Sequence, residues 1–342
     1  MKARLIPRDA VERVLVRLPN WLGDTVMAQP LLRSLRRAVP DAELWCLGPW
    51  VTTVLESEPG ITRRLLPPKS TGARLAQARR LRQARFDLAL IVPNSFETAL
   101  AGWLCGARWR VGYAADARDL LLTHGLRRDA GPIHEVATYL RLLGPLGVDD
   151  PSGTPHLTID PARRSEARRL VAEAGLTPGR PRVGLQLGAA FGPSKLWPPE
   201  RIGLLARRLE ARGIDTLLLG RAGEKELEEA ARTAAGVPGR SLVGRDRPAL
   251  LAALMAELDA VVAADSGPAH VAAAVGVPTV TLFGPTDPRL TAPLGAEQRA
   301  IWRQPACSPC FLRECPIDHR CLRAIEVDEV ETAVVAALAT RR

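Results

Sequence analysis

Aromatic side chains are scarce: 342 residues hold 7 Trp, 5 Phe and 2 Tyr, against 47 Lys and Arg. Cations are not interleaved with aromatics and no known nucleic-acid motif occurs, so nucleic acid is not an expected partner. No apolar run approaches the ~18 residues of a membrane span. The first residues, with Arg4, Arg8, Asp9, Glu12 and Arg13, lack a signal-peptide core, so a cytoplasmic protein is expected. No G-x-G-x-x-G follows a predicted strand and no G-x-x-x-x-G-K-[ST] occurs, which argues against a dehydrogenase or an NTPase. Acidic residues are absent from Pro59 to Phe86, where Arg63, Arg64, Lys69, Arg74, Arg79, Arg80, Arg82 and Arg85 accumulate. A solvated helix face accounts for such a run. The missing acids equally argue for an anionic partner, and the net charge of +10 suits a phosphorylated substrate or an anionic membrane surface.

Hydrophobic residues at 46% and charged residues at 25% describe an ordinary globular protein. Its length suits two domains of roughly 150 residues each. The stretch around which the chain is organised is LDAVVAADSGPAHVAAAVGVPTVTLFGP, from Leu258 to Pro285. Ala260 to Ala263 read as a strand, Asp265-Ser266-Gly267 as a tight loop, and Pro268 suits the first turn of a helix ending near Gly276. Asp265 or Ser266 is expected to cap that helix, and Thr279 to Phe283 read as the next strand. Exposed N–H groups at such a turn favour a phosphate, although the spacing is equally that of a plain Rossmann-like crossover. His270, in the first helical turn beside two polar loop residues, favours the phosphate site.

The same alternation runs from the N-terminus. Arg13 to Leu18 read as a strand, followed by Pro19-Asn20-Trp21-Leu22-Gly23-Asp24 and a helix from about Thr25 to Val39. Asp24 then lies at the carboxyl end of a strand, where open α/β sheets keep their ligands, although capping is the commoner role of an Asp before a helix. Further strands are expected at Glu43 to Gly48, Phe86 to Val92 and about Arg110 to Tyr113, with helices near Val51 to Glu58 and Glu97 to Cys105. Turn clusters between Asp149 and Gly179 mark a domain boundary. Beyond it strands at Arg182 to Leu187 and Asp215 to Leu219 alternate with helices at Pro199 to Ala211 and Glu224 to Ala235. Two doubly wound α/β domains follow. In the second, Gly188-Ala189 with Ser194-Lys195, Gly220 to Glu224 and Asp265 to His270 fall at one sheet edge. A lysine for phosphate, an acid for ribose and a helix N-terminus together describe a nucleotide site.

PNWLGD (Pro19 to Asp24), PNSF (Pro93 to Phe96), GAAFGPSKLWP (Gly188 to Pro198) and ADSGPAHVAAAVGVPTVTLFGPT (Ala264 to Thr286) resemble, in order and across both domains, the ADP-heptose:lipopolysaccharide heptosyltransferases of glycosyltransferase family nine, and within it the second-heptose enzymes. The resemblance implies the GT-B architecture of two Rossmann-like domains facing across a cleft. Residues 1–160 would bind acceptor, 161–325 the ADP-sugar, and 326–342 would form a helix packing back on the first domain. It implies inverting transfer of heptose from ADP-heptose to heptosyl-Kdo-lipid A without a metal, and the chain has no D-x-D motif. Asp24 matches the family's general base. Lys195, with Gly188, Ala189, Ser194, Glu224, Asp265, Ser266, Gly267 and His270, matches its donor site. Asn20, Trp21, Asn94, Ser95, Arg63, Arg64, Arg79, Arg80 and Arg82 are the expected acceptor contacts, and the enzyme is expected peripherally at the cytoplasmic face of the inner membrane. A non-catalytic nucleotide-sugar-binding module would need Lys195 and the Asp265 loop but not Asp24.

Four of the six cysteines, Cys307, Cys310, Cys315 and Cys321, fall within fifteen residues, with His319 nearby. The spacing is irregular for a zinc ribbon, and a reducing compartment disfavours disulfides. A structural zinc and reduced packing thiols are equal alternatives.

Overall fold

The computed structural model describes residues 5–115, 117–149, 153–236, 240–295 and 297–340. Two compact units divide the chain, Met1–Pro155 and His156–Arg342. In the first, strands β1 (Arg13–Arg17), β2 (Glu43–Leu47), β3 (Arg63–Leu65), β4 (Leu88–Ile91), β5 (Trp109–Tyr113) and β6 (His124–Leu126) form one parallel sheet in the order β3-β2-β1-β4-β5-β6. Its helices are α1 (Leu22–Met27), α2 (Gln29–Ala38), α3 (Thr71–Leu81), α4 (Phe96–Leu104) and α5 (Glu135–Leu140). In the second unit, β7 (Arg182–Gln186), β8 (Asp215–Leu219), β9 (Arg240–Ser241), β10 (Ala260–Ala264), β11 (Thr279–Phe283) and β12 (Gln298–Trp302) repeat the topology as β12-β11-β10-β7-β8-β9, again all parallel. With them run α6 (Pro161–Glu173), α7 (Pro199–Ala211), α8 (Lys225–Ala235), α9 (Pro248–Ala256), α10 (Gly267–Ala274), α11 (Pro288–Thr291), α12 (Arg320–Arg323) and α13 (Val327–Ala339).

Each sheet reverses its strand order once, between β1 and β4 and between β7 and β10, and doubly wound sheets open their ligand crevices at that point. Both reversals are pinned alike at their opposite end. Asp87, before β4, accepts from the Glu12 and Arg13 amides at 2.9 Å each, and Asp259, before β10, accepts from the Arg182 amide at 2.8 Å. These pins fix the register of the paired central strands, so the loops at the far ends emerge side by side.

Several expectations meet a different outcome. The helix predicted over 25–39 is two helices meeting at Ala28, because Pro30 offers no N–H and its ring crowds the carbonyl of residue 26. The stretch 51–58 is a series of turns in which the amides of Val54 and Leu55 share the Trp50 carbonyl, consistent with the β-branched run Val51-Thr52-Thr53-Val54. The C-terminal helix, expected to pack back on the first domain, buries its apolar stripe in the second unit. Val327, Val330, Ala333 and Val334 of α13 join Leu205, Leu209, Val262 and Val280 in the core of the second unit, and Arg212 pairs with Glu331 at 2.6 Å. The spacing of those apolar residues places one stripe of α13 on α7, β10 and β11. The second unit also starts before the expected residue 161, since the Leu157 amide donates to Ala274 at 2.9 Å.

Candidate functional site

In the second unit, the reversal brings the loop after β7 against the loop after β10. Lys195 Nζ donates to Asp265 Oδ2 at 2.6 Å and to the Asp265 carbonyl at 2.9 Å. The side chains are only 11% and 5% exposed. Thr286 Oγ1 also donates to Oδ2 at 2.7 Å, and Thr291 Oγ1 to Oδ1 at 3.5 Å. A pair this dry holds its charges only because several donors converge on the carboxylate.

Asp265 therefore does not cap α10. Ser266 occupies the N-cap position, but its hydroxyl donates back to the Ala264 carbonyl at 3.1 Å. The Ser266 side chain makes no capping hydrogen bond at the start of α10, where Gly267 is the first residue and His270 lies buried in the first turn. A helix start left in this state retains the backbone polarity that attracts anions.

Glu224 arrives from the loop after β8. Its carboxylate accepts from the Arg221 amide at 3.0 Å and from Arg221 Nε at 2.8 Å. It lies directly over Gly188, where a Cβ would sit 2.0 Å from the carboxylate carbon. Gly188 is thus the residue that admits the acid to the crevice edge, with half-buried Ala189 next to it. Beside Glu224 is Asp246, which sequence reasoning missed because the short strand preceding it, β9, went unrecognised. Burial pushes the Asp246 carboxyl up to about 7, the Glu224 charge adds to the rise, and the Gly220 amide opposes it. Ser194, expected to face the donor, is 2% exposed and donates its hydroxyl to the Leu312 carbonyl at 2.6 Å. It tethers the loop.

In the first unit, the reversal sets the loop after β1 beside the loop after β4. Asn20 is held at both ends: Arg17 Nη2 donates to its Oδ1 at 2.6 Å, and Trp50 Nε1 donates to its carbonyl at 2.9 Å. Burial lowers the Arg17 guanidinium to about 10, with Glu97 opposing the fall. Trp21, 44% exposed, holds the N-cap position of α1. Asp24 is therefore a half-buried residue of the first helical turn and not a cap. Tyr139 of α5 lies within reach of its charge: burial foremost, then Asp24 and Glu135, hold the Tyr139 phenol well above its usual value and neutral. His134, with no catalytic role expected, caps α5 by accepting from the Val136 amide at 3.2 Å.

Ser95 caps α4, accepting from the Thr98 amide at 3.3 Å. The fully buried Arg118, not singled out from the sequence for any role, donates to the carbonyls of Pro93 at 2.5 Å and Ser95 at 3.2 Å. Asn94 sits between them with its Oδ1 buried and accepting no hydrogen bond.

The basic run does not act as one surface. Arg64 donates to the carbonyls of Leu55 at 2.9 Å and Glu58 at 2.7 Å, which makes it a brace. Arg63 stacks over Trp45 at 4.3 Å, and Arg74 pairs with Glu97. Arg79, Arg80 and Arg82 remain exposed at the end of α3, Arg82 next to Gly106. Among the described residues no group of three or more His, Cys, Asp or Glu side chains is arranged to hold a metal ion. All six cysteines are free thiols, and Cys321 packs in the core, where burial raises its pKa.

A family profile described as Glycosyltransferase family 9 (heptosyltransferase) matches residues 74–320. Lipopolysaccharide heptosyltransferase 2 of Salmonella typhimurium is 32% identical over 308 residues, covering 84% of this chain and 87% of the relative. Among solved structures, the E. coli ADP-heptose lps heptosyltransferase II is similar at a TM-score of 0.81 and 28% identity, over 96% of this chain and 99% of that one. A family 9 glycosyl transferase from Veillonella parvula gives a TM-score of 0.84 at 24% identity, over 99% of each chain, a likeness of fold.

Proposed function

The chain belongs to glycosyltransferase family 9, and from that premise we propose that it moves heptose from ADP-L-glycero-D-manno-heptose onto the heptosyl-Kdo-lipid A inner core of lipopolysaccharide, with inversion and without a metal. The observation that carries this reading is the switch-point cluster of the second unit: the Lys195–Asp265 pair, the uncapped start of α10, and Glu224 seated on Gly188. An ammonium has three N–H groups and Asp265 takes two of them, so the third serves the donor diphosphate. Glu224 follows the second strand of its unit, the position from which a doubly wound sheet binds a ribose hydroxyl.

The transfer balances simply. The acceptor hydroxyl oxygen forms a bond to the anomeric carbon while the bond from that carbon to the diphosphate oxygen breaks, and ADP departs with the electron pair. The hydroxyl proton passes to the Asp24 carboxylate, acting as general base. Charge growing on the departing phosphate is met by Lys195 and the helix start, so both contacts strengthen along the reaction. Arg79, Arg80 and Arg82 supply cations for the phosphates or carboxylates of a lipid-anchored acceptor at the inner-membrane surface. No helix among the described residues is long and apolar enough to cross a membrane.

The test is a donor screen of ADP-heptose against UDP-, GDP- and other ADP-sugars, with Kdo-lipid A bearing or lacking its first heptose. Transfer confined to ADP-heptose and the heptosylated acceptor is expected. Asp24→Asn should abolish that transfer and leave ADP affinity within about twofold, the range of an uninvolved group. Use of another sugar nucleotide, or near-normal turnover by Asp24→Asn, would overturn the respective assignment.

A further inference from the structure

The carboxyl ends of α3 and α4 carry a group of cations that lies away from the crevice of the first unit. The two helices start together at the crevice: Ser70 and Ser95 cap them, and Arg74 in the first turn of α3 pairs with Glu97 in the first turn of α4 at 2.5 Å. They also end together, at the amino ends of the strands, because a helix that connects parallel strands runs back along the sheet. Past α3 the chain is fastened to that edge. Arg13 Nη1 donates to the Ala84 carbonyl at 2.7 Å, and the Arg108 amide donates to the Phe86 carbonyl at 3.2 Å. Arg82 lies along Gly106, where a Cβ would sit 3.1 Å from its Cγ, and the Gly106 amide donates to the Trp103 carbonyl at 3.0 Å. The 11 residues of α3 span ~16 Å, so this end is about one helix length from the crevice loops.

Arg79, Arg80, Arg82, Arg85 and Arg108 are exposed here, and among the described residues none of them forms an ion pair. The acids of the adjoining strands are engaged elsewhere: Asp87 accepts from the Glu12 and Arg13 amides, and Glu43 faces Arg13 at 3.3 Å. By contrast α6, equally rich in arginine, answers Arg164 and Arg168 with Glu257 and Arg169 with Glu173. A helix carboxyl terminus attracts cations, which accounts for Arg79 and Arg80 in the last turn of α3 but not for the three beyond it. Trp103, in the last turn of α4, is 52% exposed on the same turn that Arg82 lies along. Unmatched guanidinium groups around an open indole suit a bilayer interface, where anionic headgroups meet the charge and Trp settles at headgroup level. Single-stranded nucleic acid would need a series of free rings for its bases, whereas the neighbouring Trp109 ring already has the Arg108 guanidinium 4.4 Å from its centre.

We propose that this end of the first unit is a docking surface for anionic phospholipid, with Trp103 entering the headgroup layer and the five arginines facing lipid phosphates. The inference rests on the reading of a lipid-anchored acceptor and extends it: the surface binds the bilayer itself, one helix length from the crevice, and needs no acceptor sugar to do so.

Flotation of the full chain with phosphatidylethanolamine vesicles, with and without phosphatidylglycerol, tests this in the absence of donor and acceptor. Binding should require phosphatidylglycerol and weaken with salt. Arg82→Gln/Arg85→Gln/Arg108→Gln should weaken it roughly hundredfold, at about fivefold for each cation near an anionic surface. Trp103→Ala should cost about five- to tenfold at every salt concentration, as expected for a half-exposed indole that becomes covered, and Trp103→Phe should cost less. A thermal melt of each variant checks that the fold is retained. Equal binding to both kinds of vesicle, or unchanged binding by either the folded arginine variant or Trp103→Ala, would overturn the assignment. Displacement from the vesicles by single-stranded RNA at physiological salt would also overturn it and make the patch a nucleic-acid surface. Heptose transfer is not measured, so a failure of the proposed reaction would leave this result standing and would be seen separately.

Discussion

Gly188→Ala is the smallest change that probes the proposed donor site. The added methyl would lie 2.0 Å from the carboxylate carbon and Oε1 of Glu224 and 2.3 Å from Oε2. Non-bonded carbon contacts settle near ~3.5 Å, so the carboxylate must retreat by about 1.5 Å. The Arg221 hydrogen bonds at 2.8 and 3.0 Å cannot follow that displacement without breaking or dragging Arg221 along. Overpacking of this kind costs about 1–3 kcal/mol. For a unit of this size that corresponds to a fall in melting temperature of about 3–10 °C. ADP affinity should drop together with it, because the group assigned to the ribose has left its place. Glu224→Ala in the Gly188→Ala background should recover most of the stability and none of the affinity, giving a coupling energy of about 1 kcal/mol or more. Thermal denaturation and ADP titration on the four proteins of this cycle provide the measurement. A Gly188→Ala protein that melts within about 1 °C of the original and binds ADP normally would refute the placement of Glu224 over Gly188.

The buried ion pair makes a second prediction: Lys195→Ala should destabilise by about 2–4 kcal/mol, somewhat under the usual figure for breaking such a pair because the Thr286 and Thr291 hydroxyls stay on Asp265, and Lys195→Ala/Asp265→Asn should recover part of it. A loss under about 0.5 kcal/mol in denaturant titration would mean the pair is effectively solvated. Asp246 sets a pH dependence. Its carboxyl titrates near 7 when folded and near ~4 when unfolded, so the folded state holds the extra proton between those values and stability falls as pH rises through that window. Asp246→Asn should therefore melt higher than the original above pH 7 and lose the advantage toward pH 4, and parallel melting curves at all pH values would count against the buried acid. Reversing Arg79, Arg80 and Arg82 to Glu should weaken binding to acceptor or anionic liposomes and spare ADP; unchanged acceptor affinity in a folded variant would return those arginines to a solvated helix face.

Much of the fold is written in local pattern. β1, β2, β4, β5, β7, β8, β10 and β11 are the inner strands of the two sheets, covered on both faces, and each is a short apolar run legible without any partner. The unrecognised strands β3, β6, β9 and β12 are the four sheet edges. Half-exposed, they carry Arg63, Arg64, His124, Arg240, Gln298 and Arg299, and only pairing with a neighbour's backbone makes them strands. Missing β9 also hid Asp246. The C-terminal helix was legible as a helix from its apolar spacing. Its resting place was not, because a hydrophobic stripe records that it needs a cover and not which surface supplies it.

The candidate site divides the same way. The chemical types at the loops after the central strands are visible in sequence, because glycine, proline and a few polar residues between a strand and a helix mark where backbone and side chains face a ligand. Which polar atoms remain available to that ligand depends on partners distant in the chain. Ser194 is committed to Leu312, Arg64 to the carbonyls around Glu58, Asn20 to Arg17 and Trp50, and Lys195 to Asp265. Sequence by itself determined the two doubly wound sheets and the residue types at their reversal points. Tertiary structure alone decided which of those residues are braces, which are tethers, and that a strap beyond β12 is tied through Ser194 to the Lys195 loop, because a hydrogen bond is specified by distance in space and carries no trace along the chain.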